Sequence, residues 1–568
     1  MALPPTSVPS VQTLGGARPI GFWRTLVVAW PHLAALTLMM LTEPNFSHRL
    51  FFALAWGLVN GLWLVILRRP ALSSALSLGM VVILVLLSRL KHDVMQMTVN
   101  FVDLLVIDRD TIAFLFTIMP KLTWPVLGLA LAAVPAGVLL WRLDPFRIRR
   151  LVASAVAAVC LAGLFGLEAL SPDDPWEGYL RGGYVSKFVR SGVSAVSELR
   201  QHGLMESDSS AAERLRVPLE DSCQPAGRRP HIVMIHDESS FDIRQAEGIK
   251  VPPGYGSHFL SSDGKARKFV VETSGGASWA AEYNVLAGLS SRSFGRFSYF
   301  VTLIAAGRIE RGLPLALRRC GYSTTTLYPA QGAFMNARQF HTTAGIQRFY
   351  DARQLGAKGL EPDRFFYDNA LRLMAQEKPG TPQFMYVYLG ANHFPWQSRL
   401  RPELTPEWRD PGNAPKIDEY LRRQSMSASD YKDFVARLTK QFPGEPFLIV
   451  RYGDHQPEFS SSILKPLLDD AATAKQFAEF NPRYFATYYA IDTINFKPVS
   501  RASAMDTIDS PYLPIVVQEA AGIPLDPSFE EQKKMMLRCK GVFYACRDGA
   551  EARRLNRLLI DAGFIKNL

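Results

Sequence analysis

The chain has 568 residues, long enough for two or three structural units with separate hydrophobic cores. Hydrophobic residues make up 48% of it and charged residues 20%, with a net charge of +11 at pH 7. That basic balance would suit an anionic partner, but many arginines flank apolar runs and no nucleic-acid module is legible, so nucleic acid is excluded as a partner.

The averages hide two populations, because long apolar runs crowd residues 1–170 while the remainder reads as a water-soluble domain. A helix needs about 20 apolar residues to span the hydrocarbon core. Five segments come close, roughly 22–42, 50–67, 71–88, 122–141 and 151–167, and the second and third contain no charged residue. The first is followed by Glu43-Pro44-Asn45 rather than by a small-residue cleavage site, so it reads as an anchor and not as a removed signal. Arg68 and Arg69 lie between the second and third runs, and Arg142, Arg147, Arg149 and Arg150 between the fourth and fifth. The positive-inside tendency puts both clusters in the cytoplasm and everything after about residue 170 outside, as expected of a multi-pass inner-membrane protein. The 89–121 loop, with Arg89, Lys91, Arg109 and Lys121, must then also lie outside, and its apolar stretches Phe101–Ile107 and Ile112–Ile118 suggest partial burial in the interface.

Cysteine usage agrees with that topology. Cys160 lies in the fifth run, whereas Cys223, Cys320, Cys539 and Cys546 fall in the exported part, where an even number invites disulfides. Cys539 and Cys546 are near neighbours and are read as one pair, leaving Cys223 with Cys320, although the spacing is compatible with other pairings.

Residues 171–229 read as a juxtamembrane connector with some helix, 230–523 as an extracytoplasmic catalytic domain and 524–568 as a C-terminal tail. From His231 onward short β-rich runs alternate with helical stretches, the pattern of an α/β domain with a mainly parallel sheet. In such sheets chemistry collects beyond the carboxyl ends of strands. Four runs obey that rule. HIVMI leads into His236-Asp237-Glu238-Ser239-Ser240, and KFVVE into Thr273-Ser274-Gly275-Gly276-Ala277-Ser278. FMYVYL leads into Gly390-Ala391-Asn392-His393, and FLIV into Arg451-Tyr452-Gly453-Asp454-His455. Singly, each has a plainer explanation as a cap or turn residue. Together they offer the carboxylates and imidazoles that suit one divalent cation, zinc or manganese.

Ser278 is the sharpest single residue. It follows a Gly-Gly pair where a helix should begin, and a helix N-terminus presents N–H groups that hold phosphate. Its hydroxyl is a weak nucleophile until a cation or base lowers its pKa. A capping role fits poorly, since Glu282 stands four residues on rather than three.

The ordered set resembles the lipoteichoic acid synthase family and the related periplasmic glucan phosphoglycerol transferases: five membrane runs, an ESS carboxylate, Gly-Gly-x-Ser-x-x-x-Glu, NHFPW and YGDH. The resemblance implies a sulfatase/alkaline phosphatase-like domain, a mainly parallel sheet sandwiched by helices, behind an α-helical membrane bundle. Carried over by position, it implies Glu238, Ser278, Asp454 and His455 as metal ligands, with Ser278 also the nucleophile and His393 contacting the phosphate or leaving group. The stretch Phe334–Gln339 resembles the family's headgroup-binding segment and supplies Asn336 and Arg338, with His341 and Trp396 as further substrate-binding candidates. Met335 stands where the family has tryptophan, Arg338 falls one place late, and serine replaces the usual threonine at 278. The stretch after Ser278 lacks the proline and arginine needed for formylglycine conversion, which argues against a sulfatase activity.

The activity so implied is transfer of phosphoglycerol from phosphatidylglycerol, an anionic lipid of the bilayer, to an extracytoplasmic glycan through an ester on serine. Competing readings are a phosphoethanolamine transferase, a phosphatase or phospholipase-like hydrolase with the same site, and a non-catalytic assembly or sensor protein.

Overall fold

An apolar helix without a polar face is stable only where something other than water covers it. The computed structural model describes residues 22–106, 112, 116, 122–144, 146–172, 174–215, 223, 227–566 and 568. Five helices among them are long and apolar enough to cross a membrane: Phe22–Thr42, Phe46–Leu67, Pro70–Met95, Thr123–Leu143 and Arg150–Leu170. Side chains such as Leu41, Trp124 and Leu151 are more than three-quarters exposed, and no residue of Thr123–Leu143 is buried. The second helix starts earlier than its apolar run because the Asn45 side chain accepts a hydrogen bond from the His48 N–H. The third runs on past Ser88, through Arg89, Lys91 and His92, because no glycine or proline breaks it.

The chain divides into two compact units, residues 1–85 with 124–169, and residues 86–123 with 170–568. In the first, Gly57 and Gly61 let the second helix approach the fifth at Cys160 and Ala157. A Cβ on Gly61 would stand 2.9 Å from that of Ala157, the close approach that small residues four apart provide in membranes. In the second, residues 101–106 form a short 3₁₀ turn held by Lys91 Nζ on the Asp103 carboxylate at 2.7 Å. The expected interfacial stretch Ile112–Ile118 falls largely outside the described residues.

The second unit is built on an eight-stranded sheet of order β4-β3-β5-β1-β6-β7-β2-β8. The strands are β1 His231–Asp237, β2 Arg267–Val270, β3 Ser323–Leu327, β4 Arg348–Tyr350, β5 Gln383–Tyr388, β6 Phe447–Gly453, β7 Ala486–Ile494 and β8 Thr507–Asp509. All pair parallel except at β7, which is antiparallel to β6 and β2. The carboxyl ends of β1, β2, β5 and β6 therefore open on one edge. β2 is shorter than its apolar run, although the Val271 N–H still donates to Phe485 O in the register of the β2–β7 pair.

Strands buried on both faces read as continuous apolar runs. Ile232, Met234, Phe384, Tyr386, Leu448 and Val450 pack on one side against the helices Ser278–Ala287 and Leu513–Ala521. Val233, Ile235, Met385, Val387 and Ile449 pack on the other against Asp363–Met374 and Pro415–Gln441. Residues 524–568 are not a loose tail. Their helices Pro527–Arg538 and Ala550–Asp561 bury Phe529, Met536, Leu555 and Leu559 in the first of these cores. Disulfides join Cys223 to Cys320 and Cys539 to Cys546, and Cys160 is free.

Candidate active site

Side-chain alternation along β1 sends His236 and Glu238 to one side of the sheet and Asp237 to the other. β6 ends alongside, with His236 in register with Tyr452 and Asp237 with Gly453. Gly453 has to be glycine, because a Cβ there would lie 1.8 Å from Ser240 O. This close approach lets the next residue, Asp454, face β1: its Oδ1 accepts the N–H groups of Ser239 at 2.7 Å and of His455 at 2.8 Å.

Beyond β2 the chain turns through Gly275 and Ala277, both at positive φ, and enters the helix at Ser278. Ala277 in a left-handed conformation is a strained choice, of the kind found where a site dictates the backbone. The helix has no side-chain cap, so the Ser278 hydroxyl is not spent on its own helix. It donates to Glu238 Oε2 at 3.2 Å and lies 3.1 Å from His455 Nε2. His455 Nδ1 donates to Gln456 O at 2.9 Å, which fixes the ring with Nε2 turned to Ser278.

The structure thus brings Glu238, Ser278, Asp454 and His455 together, all buried. It adds His236, whose Nε2 lies 3.1 Å from Asp454 Oδ2 while its Nδ1 meets the hydroxyls of Tyr386 and Tyr452, each at 2.8 Å. His236, Glu238 and Asp454 each present a ligand atom within 4.8 Å of the others. His236 Nε2 and Asp454 Oδ2 are buried without a hydrogen bond, which is the condition a cation would relieve. Burial alone would raise Asp454, but the His455 and His236 imidazoles hold it well below the usual carboxylate range. Burial opposes charge on His236 too, yet the Asp454 carboxylate outweighs it and raises the ring. Tyr388, pushed up by burial and by Glu238, stays protonated and donates to Glu238 Oε2 at 3.0 Å. The donor set of carboxylate oxygens, a hydroxyl and imidazole fits a divalent cation.

The other candidates are held by neighbours of their own. His393 follows β5, stacks on Phe394 and donates from Nδ1 to Phe394 O at 2.7 Å. Asn336 and Arg338 line a shallow cleft with Gly332 and Thr342. Arg338 is engaged by Asp351 at 2.7 Å and by Phe349 O at 2.8 Å. His341 is fully buried between Glu282, at 2.7 Å from its Nε2, and Thr326, at 3.1 Å from its Nδ1. Trp396 is buried against Tyr420 and Phe459. In these surroundings His341 and Trp396 stiffen the walls rather than offer a free surface. His236 and Tyr388 were not singled out from sequence, though the i, i+2 spacing of His236 and Glu238 on a strand already put them on one face.

The sulfatase family profile matches residues 271–480, a span that starts after β1. The chain is 24% identical over 322 residues to the lipoteichoic acid synthase of Staphylococcus aureus strain USA300, and 23% over 314 residues to that of Staphylococcus saprophyticus. Each match covers 52% of this chain but 47% of the relative, so the chain spans about half the length of the curated relatives it matches. Over the matched stretches the chain is thus similar to the sulfatase family and to lipoteichoic acid synthases. Among solved structures it is similar to the Streptococcus pyogenes phosphoglycerol transferase GacH in complex with sn-glycerol-1-phosphate, with a TM-score of 0.44, 16% identity and coverage of 60% of this chain and 87% of that one. The phosphoethanolamine transferase EptA of Neisseria meningitidis gives a TM-score of 0.47 at 11% identity, covering 89% of this chain and 97% of that one.

Proposed function

We propose that the exported domain moves a phosphoglycerol group from phosphatidylglycerol to an extracytoplasmic glycan through an ester on Ser278. The observation that carries this reading is the Ser278 hydroxyl, set at a helix N-terminus between Glu238 Oε2 and His455 Nε2. Ser278 Oγ bonds to phosphorus as the bond to the diacylglycerol oxygen breaks. The proton the serine sheds balances the one that diacylglycerol takes up. In the second half an acceptor hydroxyl attacks the same phosphorus, and Ser278 leaves and recovers its proton. First-turn N–H groups of the helix face the transferring anion, and His393 offsets charge on it. Glu238, Asp454, His455 and Ser278, joined by His236, would hold one divalent cation, zinc or manganese, which would lower the serine pKa and neutralise phosphoryl charge.

An extracytoplasmic position for the domain fits its two disulfides, which persist in oxidising compartments, and the five helices suit a multi-pass anchor in the cytoplasmic membrane. The deciding assay supplies purified protein with headgroup-labelled phosphatidylglycerol, with and without a glycan acceptor. Diacylglycerol release with label on the glycan is expected. Label released only as free glycerol phosphate would mark a hydrolase, and transfer from phosphatidylethanolamine alone would change the donor.

A further inference from the structure

The Thr273–Ser278 turn also borders a cavity of about 440 Å³ within the second unit, lined by none of the metal-ligand candidates. Its size is that of a small-molecule site. Its lining is apolar at Met95, Met97, Tyr179, Phe477 and Phe485, and polar at Thr273, Ser274 and Arg292, with the carboxylates of Glu198 and Glu272 also bordering it. Arg292 is the unusual member. Its guanidinium is clamped between the rings of Phe480, 3.5 Å from its Cζ, and Tyr544, 4.3 Å away. Among the described residues it makes no hydrogen bond or ion pair, whereas the neighbouring Arg296 is held by Glu198 at 2.6 Å.

Glu272 and Asp509 attract the Arg292 charge but make no bond to its guanidinium. Glu272 is already engaged by Asn284, Ser290 and Ser291, with the Ser291 N–H and hydroxyl each at 2.6 Å. Asp509 is pushed up to about 7 by burial, so its charge is incomplete at neutral pH. The Thr273 hydroxyl, on a residue only 5% exposed, is buried without a hydrogen bond. A half-buried guanidinium without a hydrogen-bonding partner and an orphaned hydroxyl are both costly unless a ligand completes them.

We infer that this cavity is a phosphate-ester subsite, separate from the metal-ligand cluster, which seats the phosphate of an amphiphile on Arg292 and Thr273 and its apolar part on the aromatic and methionine wall. The flat guanidinium, fixed by two rings, is pre-set to receive two phosphate oxygens side by side. The inference extends the proposed transfer by giving an amphiphilic substrate a second hold beside the nucleophile's turn. It does not depend on turnover.

The test is a binding titration on the full chain carrying Ser278→Ala, with dihexanoyl phosphatidylglycerol and sn-glycerol 1-phosphate as separate probes. The amphiphile should bind at least tenfold more tightly than glycerol phosphate. Arg292→Met should weaken it tenfold or more, and the near-isosteric Thr273→Val severalfold. Arg292→Lys should recover only part of the loss, since the charge survives and the fork does not. Should Arg292→Met unfold the domain, Thr273→Val and Arg292→Lys still decide. Unchanged affinity in the folded variants, or equal affinity for the two probes, would overturn the subsite. Retained turnover in Ser278→Ala with binding lost in Arg292→Met would instead remove the nucleophile and leave the subsite standing.

Discussion

Two histidine–carboxylate sets flank the end of β1, one on each face of the sheet, and they differ in what they leave unfinished. On one face Asp237 takes His258 Nε2 at 2.8 Å and the Tyr488 hydroxyl, and no buried atom of the three is orphaned. Burial opposes charge on Asp237, but hydrogen bonds from His258 and Tyr488 lower it, while burial keeps the His258 ring neutral. That set closes on itself and ties β1 to β7 and the 255–259 turn. On the other face His236, Glu238 and Asp454 crowd together, and His236 Nε2 and Asp454 Oδ2 lack hydrogen bonds. Residue type does not separate structure from chemistry here. Saturation of hydrogen bonding does.

Substitution should divide the two faces in the same way. The largest effect is expected from Ser278→Ala, which should cut phosphoglycerol release by about 10³-fold or more in initial-rate assays with the melting temperature unchanged. Next, Asp454→Asn or Glu238→Gln should lose most activity and bound metal together, read by elemental analysis of the purified protein. On the saturated face, Asp237→Asn should leave the rate per folded molecule nearly intact while costing about 2 kcal/mol in denaturant unfolding, because it weakens buried hydrogen bonds to a charged acceptor. If Asp237→Asn abolished turnover in folded protein, the contrast between the faces would fail.

The smallest expected effect concerns pH. Asp363, whose Oδ1 accepts the Ala391 N–H at 3.0 Å, is pushed up to about 7, first by burial and then by the Asp237 charge. A carboxyl raised in the folded state binds a proton there that the unfolded chain has already released. Its stabilising contribution is therefore complete below the ordinary carboxylate range and is lost as pH rises towards 7. Asp363→Asn should flatten that decline, shifting the melting temperature by a few degrees at pH 8 relative to pH 5.

Much of this was legible in the chain. Five apolar runs gave five helices long and apolar enough to cross a membrane, since a helix satisfies its backbone within a single segment. Strand ends gave Glu238, Ser278, Asp454 and His455, because parallel sheets gather such ends on one edge. What escaped depended on the third dimension. His341 pairs with Glu282 across a core, and Trp396 packs on Phe459, contacts between segments far apart in sequence. The C-terminal residues hide amphipathic helices whose partners lie in the sheet core. Arg292 became conspicuous only once its two rings and its lack of a hydrogen-bonding partner were visible.

The central claim is that Ser278 carries the group in transit. Mass spectrometry of the Ser278 peptide, after brief incubation of the intact protein with phosphatidylglycerol and acid quench, reads this directly. The account predicts a serine ester of glycerol phosphate, absent when Glu238→Gln is used. An unmodified Ser278 peptide in protein that is turning over, or the adduct on another residue, would contradict it.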